Sequence, residues 1–366
     1  MGSKGAQKAE FRRVTAPRIR GEHRGSDFIL IAIIYIIGSV LGWAVFRWLS
    51  GKGAGFMPAM AAADSAATVW VFLWSTALAN SSVYDPYWSA APLLMLAAAA
   101  VEGARSSAGL SLSSIVILAA VSLWSIRLTA NWALNFRGLS KEDWRYIKYH
   151  ARSPRLWPLV NFFGIHLFPT VIVFLCCIPA FCALLWIPQP PAFPAAGRQS
   201  AGGDAGLILM ILGAVLSLCG TGLELAADTQ MRRFRASAEG ANGVNDRGLW
   251  KYSRHPNYLG EILMWWGVYF FGAGACAGSG FCALLDARPL TAPAAGAGFF
   301  HGGGFPVWAF SGAILNTLLF MFISIPLLET RQLARRPGYA DYMKRTGALL
   351  PLPDLSRIGS GRKPRS

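Results

Sequence analysis

The sequence predicts an all-α, multi-pass transmembrane helical bundle of about seven or eight spans. Hydrophobic residues make up 54% of the 366-residue chain and charged residues only 14%, whereas roughly 25% of a soluble domain is charged. The apolar residues are also gathered into long runs, several of which reach the roughly 18 residues that a helix needs to cross a bilayer. The runs are 28–49, 66–79, 90–101, 112–134, 156–187, 207–227, 259–285 and 307–328.

The second and third runs are the shortest, so we expect them to form a tight or partly re-entrant pair. Residues 1–26 and 353–366 are basic tails that we expect to be disordered. Between the tails, residues 27–187 are predicted to form the N-terminal transmembrane helices and residues 206–352 a C-terminal transmembrane domain. No internal repeat of fixed period is expected.

The net charge of +16 follows the connections between the spans. Four segments, 1–26, 137–155, 228–256 and 329–366, hold 28 of the 34 Lys and Arg residues. With eight spans, all four segments lie on one side of the membrane, as the positive-inside rule expects. Topology therefore explains the basic charge, with both termini cytosolic, and no nucleic acid partner is expected.

The six cysteines lie within or beside apolar runs and form no CxxC pair. They are Cys176, Cys177, Cys182, Cys219, Cys276 and Cys282. Neither a zinc site nor a disulfide framework is indicated, so we expect buried, inert thiols and no bound metal.

Polar residues of specific types gather where three of the apolar runs meet the basic side. Arg127 lies inside the fourth run, and Glu224 and Asp228 end the sixth run. The two carboxylates are four residues apart, so they share one face of a helix. Because a carboxylate in lipid is costly, we expect both to face the interior of the bundle or a wet cavity.

The seventh run begins with the polar stretch "RHPNYLGE". Pro256 suits the first turn of a helix, where its missing N–H needs no partner, and Asn257 and Glu261 then lie one turn apart. The free N–H groups of that turn and the positive end of the helix dipole add to the charges of Arg254 and His255. Together they predict an anion site, and phosphate is its natural ligand.

Aromatic residues near the same side have a simpler interpretation. Trp144, Trp250, Trp265 and Trp266 are expected to form the interfacial aromatic belt of a membrane protein.

The stretch "GLWKYSRHPNYLGEILMWWGVY" closely resembles the C-terminal signature of the steroid 5-alpha-reductase superfamily, particularly its branch of functionally uncharacterised membrane proteins. The agreement continues in "ELAADTQMRRF", in "RLTANW" with "EDWRY", in "SSVYDPYW" and in "RRPGYADYMKRTG", over about residues 80–352. The related isoprenylcysteine methyltransferases carry similar residues around "RHPxY".

This resemblance implies an enzyme that binds NADPH at the cytosolic ends of its C-terminal helices, so that residues 206–352 form a reductase-like domain with the cofactor site. Such an enzyme reduces a carbon–carbon double bond conjugated to a carbonyl in a lipid or sterol. Arg254 and His255 would bind the cofactor's phosphates, with Arg331 and Arg335 as further phosphate ligands. The residues that the resemblance assigns to the cofactor are Arg127, Asp228, Arg254, His255, Asn257, Tyr258, Glu261, Arg331 and Arg335.

The reduction also needs a hydrogen-bond donor that stabilises the developing enolate. In the steroid reductases a carboxylic acid and a tyrosine serve that role, and the nearest equivalents here are Tyr84 and Asp85. The motif around them departs from the pattern of the steroid enzymes, so it does not identify the substrate.

Two alternatives stay open at this point. One is an S-adenosylmethionine-dependent methyltransferase of the isoprenylcysteine type, and the other is a catalytically idle, cofactor-binding membrane protein that acts as a scaffold or lipid sensor. The resemblance implies an endoplasmic reticulum membrane if the source is eukaryotic, and no feature predicts the oligomeric state.

Overall fold

The fold is known from a computed structural model, which describes residues 24–107, 110–185, 201–276, 305 and 307–351. Those residues form ten helices and short 3₁₀ turns, and they contain no β-strand. The helices are α1 (Arg24–Gly51), α2 (Phe56–Ala77), α3 (Tyr87–Ser107), α4 (Leu112–Asn135), α5 (Trp144–Arg152), α6 (Pro154–Leu185), α7 (Ala201–Ala236), α8 (Pro256–Cys276), α9 (Trp308–Arg335) and α10 (Tyr339–Arg345). The predicted tails and Cys282 lie outside the described residues, except that residues 24–26 already belong to α1.

Within the described residues, eight helices are long and apolar enough to cross a membrane, namely all but α5 and α10. This confirms the predicted class, an all-α bundle with the architecture of a multi-pass membrane protein. The second and third spans, Phe56–Ala77 and Ser81–Arg105, are 22 and 25 residues long, so the expectation that they are short is wrong. Their re-entrant arrangement stays a prediction. Polar side chains such as Asp64 and Ser81 interrupt the apolar pattern, but they are buried inside the protein.

The chain forms two compact units, each of which is described by itself. Of the described residues, the first unit takes those up to Ala99 and Leu128–Phe174, and the second takes Ala100–Arg127 and those from Leu175 onward. The expected domain boundary between residues 187 and 206 stays a prediction.

In the second unit, α7 and α8 pack with their backbones in direct contact. Glycine lies at residues 206, 213 and 220 of α7 and at residues 260, 267 and 274 of α8. A Cβ atom on Gly220 would lie 2.5 Å from the carbonyl oxygen of Gly260, and one on Gly267 would lie 2.6 Å from that of Gly213. Only glycine allows such an approach, which is typical of helix interfaces in membranes.

In the first unit, the 3₁₀ turn Ser81–Tyr84 is joined to the connection between α4 and α5. The Asn80 side chain donates to the carbonyl of Leu139 at 2.7 Å, and Glu142 accepts from the Ser81 N–H at 2.9 Å. These bonds bring the motifs "SSVYDPYW" and "EDWRY" together, although about sixty residues separate them in the chain.

Four of the described cysteines are buried as expected, but Cys219 is exposed. Cys219 lies on α7 near Val215 and Leu218, which are also exposed, so it belongs to the apolar outer face of a membrane-length helix. The expectation of a buried thiol is wrong at this position.

Candidate functional site

Arg127, Glu224, Asp228, Asn257 and Glu261 form one cluster in the second unit, here named the carboxylate cluster; Arg127, Glu224 and Glu261 are buried. Arg127 on α4 contacts Glu224 through Nη2 and lies 3.0 Å from Asp228 through Nη1. Glu261 Oε2 is 4.0 Å from the same guanidinium, and Asn257 donates to Asp228 at 3.3 Å. Three helices therefore supply five polar side chains to one point of the bundle.

The glycine contact between α7 and α8 explains why these side chains meet. A Cβ atom on Gly260 would lie 2.6 Å from Cγ of Glu224, so the Glu224 side chain of α7 passes directly over the backbone of α8. Glu224 is 2% exposed and Glu261 is 4% exposed. This confirms the expectation that the carboxylate of Glu224 faces the interior of the bundle.

Two indole groups fix the orientation of Glu261. Trp124 Nε1 donates to Oε2 and Trp265 Nε1 donates to Oε1, both at 2.9 Å, and the two rings pack edge to face with centroids 4.8 Å apart. Trp265 is 1% exposed, so its assignment to an interfacial belt is wrong. The same holds for Trp250, which is 7% exposed and donates to the carbonyl of Ala227 at 3.1 Å.

Arg127 is the cation that Glu224 and Glu261 share among the ion pairs of the described residues. Arg127 Nε and Glu224 Oε1 are buried and have no hydrogen-bond partner there. Buried charges of this kind destabilise the folded protein unless protons, a ligand or neighbouring groups balance them. No group of three or more His, Cys, Asp or Glu side chains in the described residues has the geometry to hold a metal ion.

Arg254 and His255, at the start of α8, both bind Glu329 of α9. Arg254 Nε lies 2.7 Å and His255 Nε2 lies 3.1 Å from the same oxygen, Oε1. Arg254 Nη1 also donates to the carbonyls of Met343 and Thr346. The two residues expected at the cofactor's phosphates are thus held in place by Glu329, and their phosphate role stays a prediction.

Tyr258 is part of an aromatic stack beside this ion pair. Its ring lies parallel to that of His255, with centroids 5.4 Å apart, and it also packs against the Phe320 ring, with centroids 4.5 Å apart. Phe320 begins the π-helical segment Phe320–Ser324 of α9, and such segments are frequent at functional sites.

Helix α10 and the residues after it are bonded to the segment that precedes α8. Arg254 N–H donates to the carbonyl of Gly347 at 2.9 Å and His255 N–H donates to that of Ala348 at 3.0 Å. Tyr342 donates its hydroxyl to the carbonyl of Trp250. Burial raises the pKa of Tyr342 well above its usual range, so this hydroxyl stays a donor at physiological pH.

The two other predicted phosphate ligands lie in the last turns of α9. Arg331 is half-buried and Arg335 is exposed. Arg335 makes no hydrogen bond or ion pair with any residue that the structure describes.

Tyr84 and Asp85, the predicted catalytic pair, belong to the first unit, whereas all nine predicted cofactor residues belong to the second. Tyr84 is 1% exposed and its hydroxyl lies 2.8 Å from that of Thr170. Asp85 instead accepts a hydrogen bond from Tyr146 at 2.5 Å, with Arg145 at 4.0 Å. Burial, with the charge of Asp85, raises the pKa of Tyr146 well above its usual range.

Tyr146, Trp124 and Glu329 were not predicted as site residues from the sequence. Trp124 lies three residues before Arg127, and Trp265 lies four residues after Glu261, so both occupy the helix faces that carry predicted site residues. For these two tryptophans, helical spacing from the predicted site residues was the available signal.

A family described as "Protein of unknown function (DUF1295)" matches residues 71–290. The chain belongs to this DUF1295 family. The match covers Tyr84 and Asp85, the carboxylate cluster and the start of α8, but it ends before α9 and α10.

A relative in Schizosaccharomyces pombe, "Uncharacterized protein C594.04c", is 30% identical to this DUF1295 chain over 173 residues. The alignment covers 42% of the chain and 46% of the relative, so the chain spans less than half the length of that protein. No solved structure matches the chain.

Proposed function

We propose that this DUF1295 protein is a membrane-embedded, NADPH-dependent reductase that acts on a carbon–carbon double bond in a lipid or sterol-like enone. The proposal includes membership of the steroid 5-alpha-reductase superfamily, which the quoted motifs resemble.

The observation that carries the proposal is the convergence of three of those motifs. Arg127 of "RLTANW" binds Asp228 of "ELAADTQMRRF" across 101 residues of sequence, and Glu261 of "RHPNYLGE" lies against the same guanidinium. Residues that a shared binding site would need are thus assembled inside one unit. Intramembrane carboxylates and arginines of this kind are typical of functional sites.

The second unit also offers groups that fit the phosphates of NADPH. Glu329 and two carbonyls occupy Arg254 Nε and Nη1, and Nη2 makes no hydrogen bond to the described residues. The guanidinium of Arg335 makes no hydrogen bond or ion pair with the described residues, so all its N–H groups can bind a phosphate. Asn257, Tyr258 and Glu261 would then line the rest of the cofactor.

NADPH would supply a hydride to the electrophilic carbon of the enone. The protein's part is to place the substrate, exclude water and donate a hydrogen bond to the carbonyl oxygen as negative charge develops there. Tyr84 and Asp85 stay the predicted donors. Asp85 would depend on Tyr146, whose hydroxyl fixes its orientation.

One observation favours the methyltransferase alternative. Glu224 and Glu261 share Arg127, so the cluster suits a ligand that brings positive charge. S-adenosylmethionine carries a sulfonium and an ammonium group, whereas NADPH is an anion. The two cofactors therefore make opposite demands on the same cluster.

Ligand-dependent thermal stability of the detergent-purified chain separates these functions. A ligand at 100 times its dissociation constant adds about 2.7 kcal/mol to the free energy of a reversible unfolding transition. We expect NADPH to stabilise the native chain, to stabilise Arg335→Gln less, and to stabilise Arg105→Gln as much as the native chain. Arg105 is an exposed control on α3, paired with Glu102 at 3.7 Å.

Stabilisation by S-adenosylmethionine in place of NADPH would reject the reductase proposal. If NADPH binds, its oxidation is then followed by absorbance with a panel of enone lipids and sterols. Binding without oxidation of NADPH by any of them would favour an idle cofactor-binding protein.

We also propose that both termini lie on the cytosolic side and that a eukaryotic source would place the protein in the endoplasmic reticulum membrane. The support is the charge bias of the connections, with 28 of 34 Lys and Arg residues in four segments.

A further inference from the structure

Helix α5 carries a basic surface that the proposed function does not use. Lys148 and Arg152 lie one turn apart on α5, and Arg155 follows at the start of α6. All three side chains are exposed, and none makes a hydrogen bond or ion pair with the residues that the structure describes. We name these three residues the α5 basic surface.

The rest of α5 is anchored, so the direction of this surface is fixed. Asp143 caps the helix by accepting the N–H of Arg145 at 2.8 Å. Tyr146 is 7% exposed and donates to Asp85. At the other end, the His150 ring stacks on Trp157 with centroids 4.7 Å apart and planes 13° apart. Lys148 and Arg152 therefore point away from the protein.

Exposed apolar side chains border the basic surface. Ile147 on α5 is 39% exposed, and Leu156 and Leu159 at the start of α6 are 58% and 57% exposed. Phe163, one turn further along α6, is 55% exposed. Because α6 is a membrane-length helix, this apolar border continues into its lipid-facing side.

We propose that the α5 basic surface binds the headgroup of an anionic phospholipid in the adjacent membrane leaflet. The phosphate and the additional negative charge of the headgroup pair with Lys148, Arg152 and Arg155. The acyl chains lie along Ile147, Leu156 and Leu159. A short helix with one cationic and one apolar side at the membrane boundary has the chemistry that such lipids recognise.

Charge and shape both favour a lipid over an acidic protein segment. The sequence contains no Asp or Glu from residue 144 to residue 203, so no acidic neighbour in that stretch offsets the cations. An acidic peptide would satisfy the cations but would leave the apolar border uncovered, whereas a phospholipid matches both halves.

The test is native mass spectrometry of the full chain in detergent, with phosphatidylserine or phosphatidylcholine added at equal concentrations. We expect phosphatidylserine to bind preferentially to the native chain. The variant Lys148→Gln/Arg152→Gln/Arg155→Gln should bind phosphatidylserine with an affinity at least about tenfold lower, because each of the three cations attracts the headgroup. A control variant, Arg233→Gln/Lys251→Gln/Lys344→Gln, removes the same charge from three other exposed positions and should keep native binding.

Equal losses in both variants would mean that net charge alone attracts the lipid, and this would overturn the proposal. Binding of a polyglutamate peptide but not of phosphatidylserine would also overturn it and would assign the surface to a protein partner. If the test variant unfolds, Lys148→Arg/Arg152→Lys/Arg155→Lys keeps the charge. Loss of phosphatidylserine preference in that folded variant would contradict recognition by charge.

Discussion

At the scale of single residues, the hydrogen bonds to Glu261 can be tested by two adjacent tryptophans. Trp265→Phe keeps an aromatic ring but removes the N–H that binds the carboxylate at 2.9 Å, and we expect it to lower the free energy of unfolding by about 1.5–3 kcal/mol. Trp266→Phe removes a bond to the neutral Thr317 hydroxyl at 3.2 Å and should cost about 0.5–1.5 kcal/mol. Reversible unfolding in detergent measures both. In a Glu261→Gln chain the two losses should become similar, and an unchanged difference would contradict the assignment.

Arg127 is the second residue whose removal has a defined consequence. Arg127→Met leaves Glu224 and Asp228 without the guanidinium that both contact, and breaking a buried ion pair costs about 3–5 kcal/mol. We therefore expect Arg127→Met to lower the free energy of unfolding, measured in detergent, by about 3–5 kcal/mol. Adding Glu224→Gln to Arg127→Met should recover part of it, because the buried carboxylate is then gone. A double variant no more stable than Arg127→Met would show that the packing of Arg127 is what matters.

At the scale of helices, the close contact between α7 and α8 predicts opposite effects for two glycines on the same helix. A Cβ atom on Gly220 would lie 2.5 Å from the carbonyl oxygen of Gly260, whereas one on Gly222 meets no atom within 4 Å. Gly220→Ala should separate the helices and lower stability by about 1–3 kcal/mol. Gly222→Ala should raise it by up to about 1 kcal/mol, since alanine favours the helix. Thermal unfolding of both variants decides this, and similar effects would contradict the interface.

How much of the site the sequence could predict depends on the distance over which its residues interact. Asn257 and Glu261 are one turn apart, so their shared helix face was predictable from periodicity alone. The bond from Trp124 to Glu261 joins residues 137 positions apart, and spacing within a helix carries no information about it. For the same reason Arg254 was predicted from local sequence as a free phosphate ligand, although Glu329 of another helix binds it.

At the scale of the whole molecule, hydropathy predicted the number of spans but underestimated the lengths of α2 and α3. A long apolar run predicts a helix whose outer face contacts lipid. Helices α1 and α7 are of this kind, since only 22% of the most apolar stretch of each is buried inside the protein. In α2 and α3 the buried share is 44%, and polar residues such as Asp64 and Ser89 face the protein interior. A buried face can be polar if its groups are hydrogen-bonded, so hydropathy understates the length of such helices.

If α2 and α3 both cross the membrane, the side on which each connection lies is defined. Lys52 follows α1, Ala79 follows α2 and Ser140 follows α4, and all three are exposed. If α2 crosses the bilayer, a cysteine at Ala79 reacts with an impermeant maleimide from the same side as one at Ser140, and a cysteine at Lys52 reacts only from the opposite side. The experiment uses intact vesicles. Cys219 is replaced by serine because it is exposed, and Cys282, which lies outside the described residues, is replaced as well. A re-entrant pair would leave the side of Ser140 unchanged, since two crossings are lost together. It would, however, remove the reactivity of Ala79→Cys from that side, so Ala79 alone decides whether α2 and α3 span the membrane.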